Sequence, residues 1–401
     1  MIIKLFSLSF FGSVVYALTQ WLIISVIGHV LNIENVGLYA TALGVVVSIN
    51  IFFNFGIRQL TYSSMENEIE NLVCYVVILQ IIGFFITVGV TYFLYSNLVI
   101  LCTALYLHKI IETLSEYAYG IYQRTDNHKK IAISRVIRSS IYTITFIIVL
   151  KTSDSIELSA FAMFIANLIC LTIIDWSVLK SRGMPIKLAQ EIYFTTGFPL
   201  GITAILLSLR TTSPRFFVEE YMGLTSVGVL VSYLYIINAS GMVVQSLAQV
   251  IAPKISRFLN SDKDGSVINV IALGYIPIFV YSIIINAIFM LNGELIMKAL
   301  YGDSFVFDKD IAISIVALTY ITYLGSYLGY CTTAVRVFSK QPVVFAILLI
   351  VNIVLVYYST SEYTSLTYVI NSMSLVGMMQ IILLMALLFI KLRSSTKMRD
   401  E

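Results

Sequence analysis

One helical face in the first half of the sequence carries charge within a long apolar run. Lys109, Glu112, Glu116 and Tyr119 are spaced by 3, 4 and 3 residues, so they lie on one face of a helix. An ammonium group binds anions, and carboxylates bind cations or protons. Because ionisable residues in apolar segments are rare and usually functional, the pattern predicts a ligand-binding or ion-coupling face.

The alternative for this face is pairing within the chain. Lys109 can pair with Glu112, and Glu116 falls at about the depth of Arg135 and Arg138 on the next apolar run. Packing alone would not require ions at this depth, so we favour a functional face. Lys109 and Arg138 are predicted substrate contacts, and Glu112 and Glu116 are candidates for ion coupling.

Two arginines in a later apolar run form a second candidate site. Arg215 has Glu219 four residues on, so an interfacial ion pair and a ligand contact both remain open. Arg210 lies deeper and has no acidic residue within one turn, which favours a ligand-facing cation. A guanidinium fork can bind two phosphate oxygens, so both arginines are predicted to bind an anionic substrate.

These residues belong to a sequence that reads as two related halves. Residues 33–39 (IENVGLY) and 224–230 (LTSVGVL) share a pattern at an offset of 191 residues. A second alignment of the two halves, at an offset of 211 residues, pairs the charged face of residues 109–119 with a tyrosine stripe. The stripe consists of Tyr320, Tyr323, Tyr327 and Tyr330. Corresponding faces of such repeats meet at a central cleft, so the tyrosine stripe is also predicted to bind substrate.

The composition predicts the elements that must position these residues. The chain is 59% hydrophobic and 12% charged, whereas soluble proteins are typically about 25% charged. Long unbroken apolar runs indicate helices rather than a barrel, so we predict an all-α polytopic membrane protein with twelve spans. The predicted spans are 5–31, 36–58, 72–95, 97–123, 129–150, 156–179, 191–218, 224–250, 266–291, 309–336, 342–358 and 364–391.

Charge distribution gives the predicted orientation. Of the 25 Lys and Arg residues, 18 fall on one side of the predicted spans, which places both termini in the cytoplasm. Six spans in each half make a parallel repeat, with lobes at residues 1–187 and 188–401. The offset grows because residues 292–308 form a longer outer loop than their counterpart in the first half.

The sequence lacks signals for several other functions. It has no P-loop, no metal-ligand spacing and no nucleophile–base pair in its short loops. We therefore expect no enzymatic activity, no cofactor or metal, and no nucleic-acid partner.

Three segments carry a resemblance to a known family. They are residues 31–40 (LNIENVGLYA), 197–200 (GFPL) and 296–305 (IMKALYGDSF). Together they resemble the polysaccharide-transporter branch of the multidrug/oligosaccharidyl-lipid/polysaccharide exporter superfamily, which includes the O-antigen and repeat-unit flippases. The resemblance extends over essentially the whole chain.

The resemblance implies a two-lobed carrier in the bacterial cytoplasmic (inner) membrane. Such carriers move undecaprenyl-pyrophosphate-linked oligosaccharides for O-antigen, lipopolysaccharide or similar surface polysaccharides to the outer leaflet by alternating access. The implied partners are this lipid-linked oligosaccharide, membrane lipids, and the polysaccharide polymerase with its chain-length machinery. Cations would contact the pyrophosphate, and the tyrosines would contact sugar rings.

Three other functions are alternatives to this one. An ion-coupled multidrug exporter of the same superfamily is the main alternative, although the first span lacks the acidic residue expected of such an antiporter. A repeat-unit polymerase should have a large outer loop with catalytic arginines, and a peptidoglycan-precursor flippase typically has two extra helices. Neither feature is present in the predicted spans and loops.

Overall fold

The computed structural model describes residues 2–58, 61, 66–125, 127–181, 198–260, 264–303, 305–335, 337 and 341–397. Nearly all of these residues are helical, and none of them is in a strand. Lipid offers no hydrogen bonds to the backbone, so a helix, which satisfies its own, is the expected solution. The all-α prediction is confirmed.

The helices follow one another with short connections. They are α1 (Ile2–Val30), α2 (Ile33–Asn54), α3 (Glu66–Leu94), α4 (Val99–Arg124), α5 (His128–Ser153), α6 (Ile156–Cys170), α7 (Trp176–Ser181), α8 (Phe198–Asn260), α9 (Asp264–Tyr301), α10 (Lys309–Ala334), α11 (Gln341–Tyr363) and α12 (Leu366–Lys397). A π-helical turn at Leu171–Asp175 joins α6 to α7.

Ten helical segments within the described ranges are long and apolar enough to cross a membrane. α1 contributes a shorter apolar segment, Val14–Val30. Large apolar side chains such as Phe85, Phe93 and Leu291 are exposed, which is the pattern of a protein whose surroundings are lipid. The protein is a multi-pass membrane protein.

The chain forms two compact units, Met1–Arg215 and Phe216–Glu401. In the first unit α5 packs on α1 and α6, and α4 packs on α2, α3 and α6. In the second, α12 packs on α10 and α11. The predicted lobe boundary between residues 187 and 188 lies outside the described residues.

The beginning of α8 belongs to the first unit. Ser48 on α2 forms buried hydrogen bonds with Ser208 at 3.1 Å and Thr212 at 3.2 Å. Further along, Gly223 has φ 81° and ψ 169°, so the backbone leaves helical geometry there. This is where the sequence predicts a break between two spans, and a glycine adopts this conformation without a Cβ clash.

Helix ends differ from the predictions where local chemistry intervenes. α2 starts at Ile33 because the Asn32 side chain accepts the Asn35 N–H at 2.8 Å, and it ends at Asn54 because Phe55 is left-handed. The prediction of an outer loop over residues 292–308 is wrong for its first part. α9 continues to Tyr301 after a local distortion at Asn292.

Two glycines on α3 provide a test of the packing. A Cβ on Gly83 would overlap the Tyr106 hydroxyl oxygen, whereas a Cβ on Gly89 would meet nothing within 4 Å. We expect Gly83→Ala to lower stability by about 1–3 kcal/mol through overpacking, measured by thermal melting in detergent. Gly89→Ala is the matched control and should be neutral or slightly stabilising. Equal melting of both variants would contradict this packing.

Candidate functional site

A cavity of about 210 Å³ lies within the first unit. Residues of α1, α2, α4, α5 and α6 line it. Its charged lining residues are Lys109, Glu112, Glu116, Arg135 and Arg138. The predicted common face of α4 is thus confirmed, and this face borders a cavity among helices of one unit.

The first ion pair in the cavity joins neighbouring turns of α4. Lys109 Nζ lies 2.5 Å from Glu112 Oε2. The Tyr16 hydroxyl donates to Glu112 Oε1 at 3.1 Å, and His108 Nε2 lies 3.4 Å from the same oxygen. The predicted pairing of Lys109 with Glu112 is confirmed. Both side chains are largely buried, which strengthens the electrostatic interaction.

The second ion pair joins α5 to α4. Arg135 Nη2 lies 2.6 Å from Glu116 Oε1, and Arg58 Nη1 lies 3.4 Å from Glu116 Oε2. The Arg135 guanidinium also lies 5.9 Å from the ring centroid of Tyr16 and 5.2 Å from that of Tyr119. These two rings hold the cation by cation–π interaction. Arg135 is therefore fixed in place on the cavity wall.

Arg138 also lines the cavity, but most of its donors serve α6 and the π-helical turn. Its Nη1 lies 3.2 Å from Asp175 Oδ2, and its Nη2 donates to Asn167 Oδ1 at 2.7 Å. Asp175 also accepts from Ser134 at 2.8 Å and Tyr122 at 3.3 Å. The Arg138 and Asp175 side chains are 4% and 0% exposed. This buried pair ties α5 to the end of α6 and fixes the wall of the cavity.

The structure does not bring Arg210 and Arg215 into this cavity. Both lie on α8 and are partly buried, and neither is among the lining residues. Arg215 Nη1 donates to the Ala40 carbonyl oxygen at 3.2 Å, which links α8 to α2. Their predicted contact with substrate stays a prediction.

The tyrosine stripe lies on α10 in the second unit. Tyr323 and Tyr327 are each 1% exposed, and Tyr320 is half-buried. The Tyr327 hydroxyl donates to the Ile271 carbonyl oxygen at 2.8 Å, and that of Tyr323 bonds with Ser240. In this conformation two of the rings pack α10 against α8 and α9. Contact of the stripe with sugar stays a prediction.

Three members of the site are absent from the predicted site residues. The sequence presents Arg135 as a partner for Glu116, and its place in an apolar run is a signal for a functional cation as well. Asp175 is an acid near the end of a predicted span, and that position was a usable signal. Tyr16 is one of 26 tyrosines, so composition gave no reason to select it.

The sequence matches a known protein family and a known individual protein. Residues 4–259 match the family model described as "Polysaccharide biosynthesis protein". The chain is also 25% identical over 337 residues to the capsular polysaccharide biosynthesis protein CapF of Staphylococcus aureus, covering 82% of this chain and 84% of CapF.

Solved structures show the same fold at low sequence identity. An inward-facing multidrug resistance transporter of the MATE family has a TM-score of 0.72 at 12% identity, over 98% of this chain and 95% of that one. An outward-facing multidrug resistance transporter of the MATE family has a TM-score of 0.68 at 14% identity, over 99% of this chain and 96% of that one. A transporter of the same superfamily from Pyrococcus furiosus, described as having a binding pocket of reversed polarity, has a TM-score of 0.67 at 13% identity, over 98% and 96%.

The family match covers more than half of the chain, and the fold is that of transporters. Apolar helices suited to crossing a membrane are the elements that such a fold requires. The chain belongs to the family described as "Polysaccharide biosynthesis protein", and it has the fold of the solved MATE-family transporters.

Proposed function

We propose that this protein is a flippase for a lipid-diphosphate-linked oligosaccharide. The observation that carries the proposal is a cavity in the first unit with two largely buried cations, Lys109 and Arg135, on its wall. An ammonium is a compact point charge for phosphate, and a guanidinium offers a fork for two oxygens. The two cations on this wall suit the diphosphate group of such a lipid.

The rest of the proposal concerns the transport cycle. Twelve spans in two six-helix lobes alternate access to the substrate in the bacterial inner membrane, with both termini in the cytoplasm. Arg138 positions the cavity wall and contributes positive charge, while Arg210 and Arg215 contact the diphosphate at another stage. The tyrosine stripe at Tyr320, Tyr323 and Tyr327 faces sugar after rearrangement of the second unit. The polymerase and chain-length machinery receive the product.

An ion-coupled multidrug exporter is the second candidate. Glu112 and Glu116 line the cavity and could attract a cationic drug. Each of them, however, is already within ion-pair distance of a cation of the chain. The ion pairs around the cavity, within the described residues, involve four cations and three carboxylates, so the surplus of positive charge favours an anionic substrate over a cationic drug.

Transport by the reconstituted protein distinguishes the two candidates. Liposomes would carry either a diphosphate-linked lipid oligosaccharide or a cationic dye, under imposed proton and sodium gradients. We expect the lipid-linked sugar to change leaflet, as measured by its accessibility to an external glycosidase, and protein-free liposomes give the background. Dye export without movement of the sugar would overturn the proposal.

A further inference from the structure

Two of the three cations that line the cavity, Lys109 and Arg135, are held by carboxylates of the same helix. Lys109 contacts Glu112 at 2.5 Å, and Arg135 contacts Glu116 at 2.6 Å. We propose that Glu112 and Glu116 are internal competitors of the substrate phosphates. This inference rests on the proposed function. It adds that binding of a diphosphate displaces both carboxylates from their cations.

Charge balance around the cavity supports displacement. The ion pairs around the cavity, within the described ranges, involve four cations and three carboxylates. They are Arg58, Lys109, Arg135 and Arg138, with Glu112, Glu116 and Asp175. An excess of one positive charge cannot neutralise a diphosphate that enters while both pairs stay intact. Buried charge without a partner is costly, so the carboxylates must turn away or take up protons when the ligand binds.

The arrangement also selects for two phosphates over one. Glu112 and Glu116 are one helical turn apart, a rise of about 6 Å. Tyr16 links their two pairs, because its hydroxyl bonds to Glu112 while its ring lies against Arg135. A diphosphate can replace both carboxylates at once, and a monophosphate can replace only one. The second carboxylate therefore discriminates against ligands with a single phosphate.

Removing a competitor should tighten binding. We expect Glu112→Gln and Glu116→Gln each to bind farnesyl diphosphate roughly tenfold more tightly than the wild type, equivalent to about 1.4 kcal/mol. The amide keeps a similar shape and a hydrogen-bonding oxygen but loses the charge. The measurement is calorimetric titration of the full chain in detergent, with farnesyl monophosphate as the second probe. The preference for diphosphate should shrink in both variants.

The matched control is Glu294→Gln. Glu294 pairs with Lys298 at 2.7 Å on the exposed surface of α9, in the second unit. The same change of charge there should leave the affinity for farnesyl diphosphate unchanged. A tighter affinity in this control would mean that net charge, and not local competition, sets the binding, and would overturn the inference.

A second measurement needs no variant to fold. Infrared difference spectra of the wild type should show a change in the carboxylate bands when farnesyl diphosphate is added. Unchanged bands, or glutamine variants that fold and bind no more tightly, would overturn the competitor role while leaving the proposed function intact. A wild type that binds no farnesyl diphosphate would instead overturn the diphosphate site itself, and this inference with it.

Discussion

Asp175→Asn should lower the free energy of unfolding by about 3–5 kcal/mol, because it leaves a buried arginine without its counter-charge. Asp175 is fully buried and lies 3.2 Å from Arg138, whose side chain is 4% exposed. Asparagine has nearly the same shape, so lost packing makes only a small contribution. The measurement is denaturant titration of the detergent-solubilised protein.

Two further variants make this test specific. Asp154→Asn makes the same chemical change at an exposed left-handed residue that follows α5, and it should alter stability by no more than about 0.5 kcal/mol. Combining Asp175→Asn with Arg138→Gln removes both charges and should recover part of the loss. A stable Asp175→Asn single variant would show that the pair does not hold α5 to α6.

The charged face of α4 could be predicted from the sequence because it depends on helical geometry alone. Spacings of 3, 4 and 3 residues put Lys109, Glu112, Glu116 and Tyr119 on one side of any α-helix. The i,i+3 pairing of Lys109 with Glu112 follows from the same geometry. Apolar run lengths likewise predicted the helices, since the membrane thickness sets them.

Partners on other helices could not be predicted in the same way. Arg138 binds Asp175, which lies 37 residues away at the end of the π-helical turn that follows α6 and rotates the helix face there. That rotation is not visible in a 3.6-residue pattern. Tyr16 reaches Glu112 across 96 residues, through packing of α1 that only the folded chain specifies. The tyrosine stripe is a further example. The sequence shows its helical period, but the burial of its rings within the second unit depends on packing that the sequence pattern does not show.

Replacing Lys109 and Arg135, two of the three cations that line the cavity, should have the largest effect on activity. We expect the double variant Lys109→Ala, Arg135→Ala to lose transport of the lipid-linked oligosaccharide by roughly a hundredfold or more, since each charged hydrogen bond to phosphate contributes about 1.5–3 kcal/mol. The transport rate of Arg135→Lys should fall between those of the wild type and the double variant. Lysine keeps the charge but loses the guanidinium fork and its stacking on Tyr16 and Tyr119. Reconstituted liposomes give the rate.

The control for this loss must remove cations without touching the cavity. Lys151→Ala and Lys298→Ala do so at exposed positions, and they should transport at the wild-type rate. If the cavity double variant folds, melts normally and still transports within twofold of the wild type, then the diphosphate binds elsewhere. Arg210, which lies on α8 and is not among the cavity-lining residues, would then be the cation to replace, because it lies deeper in its apolar run than Arg215.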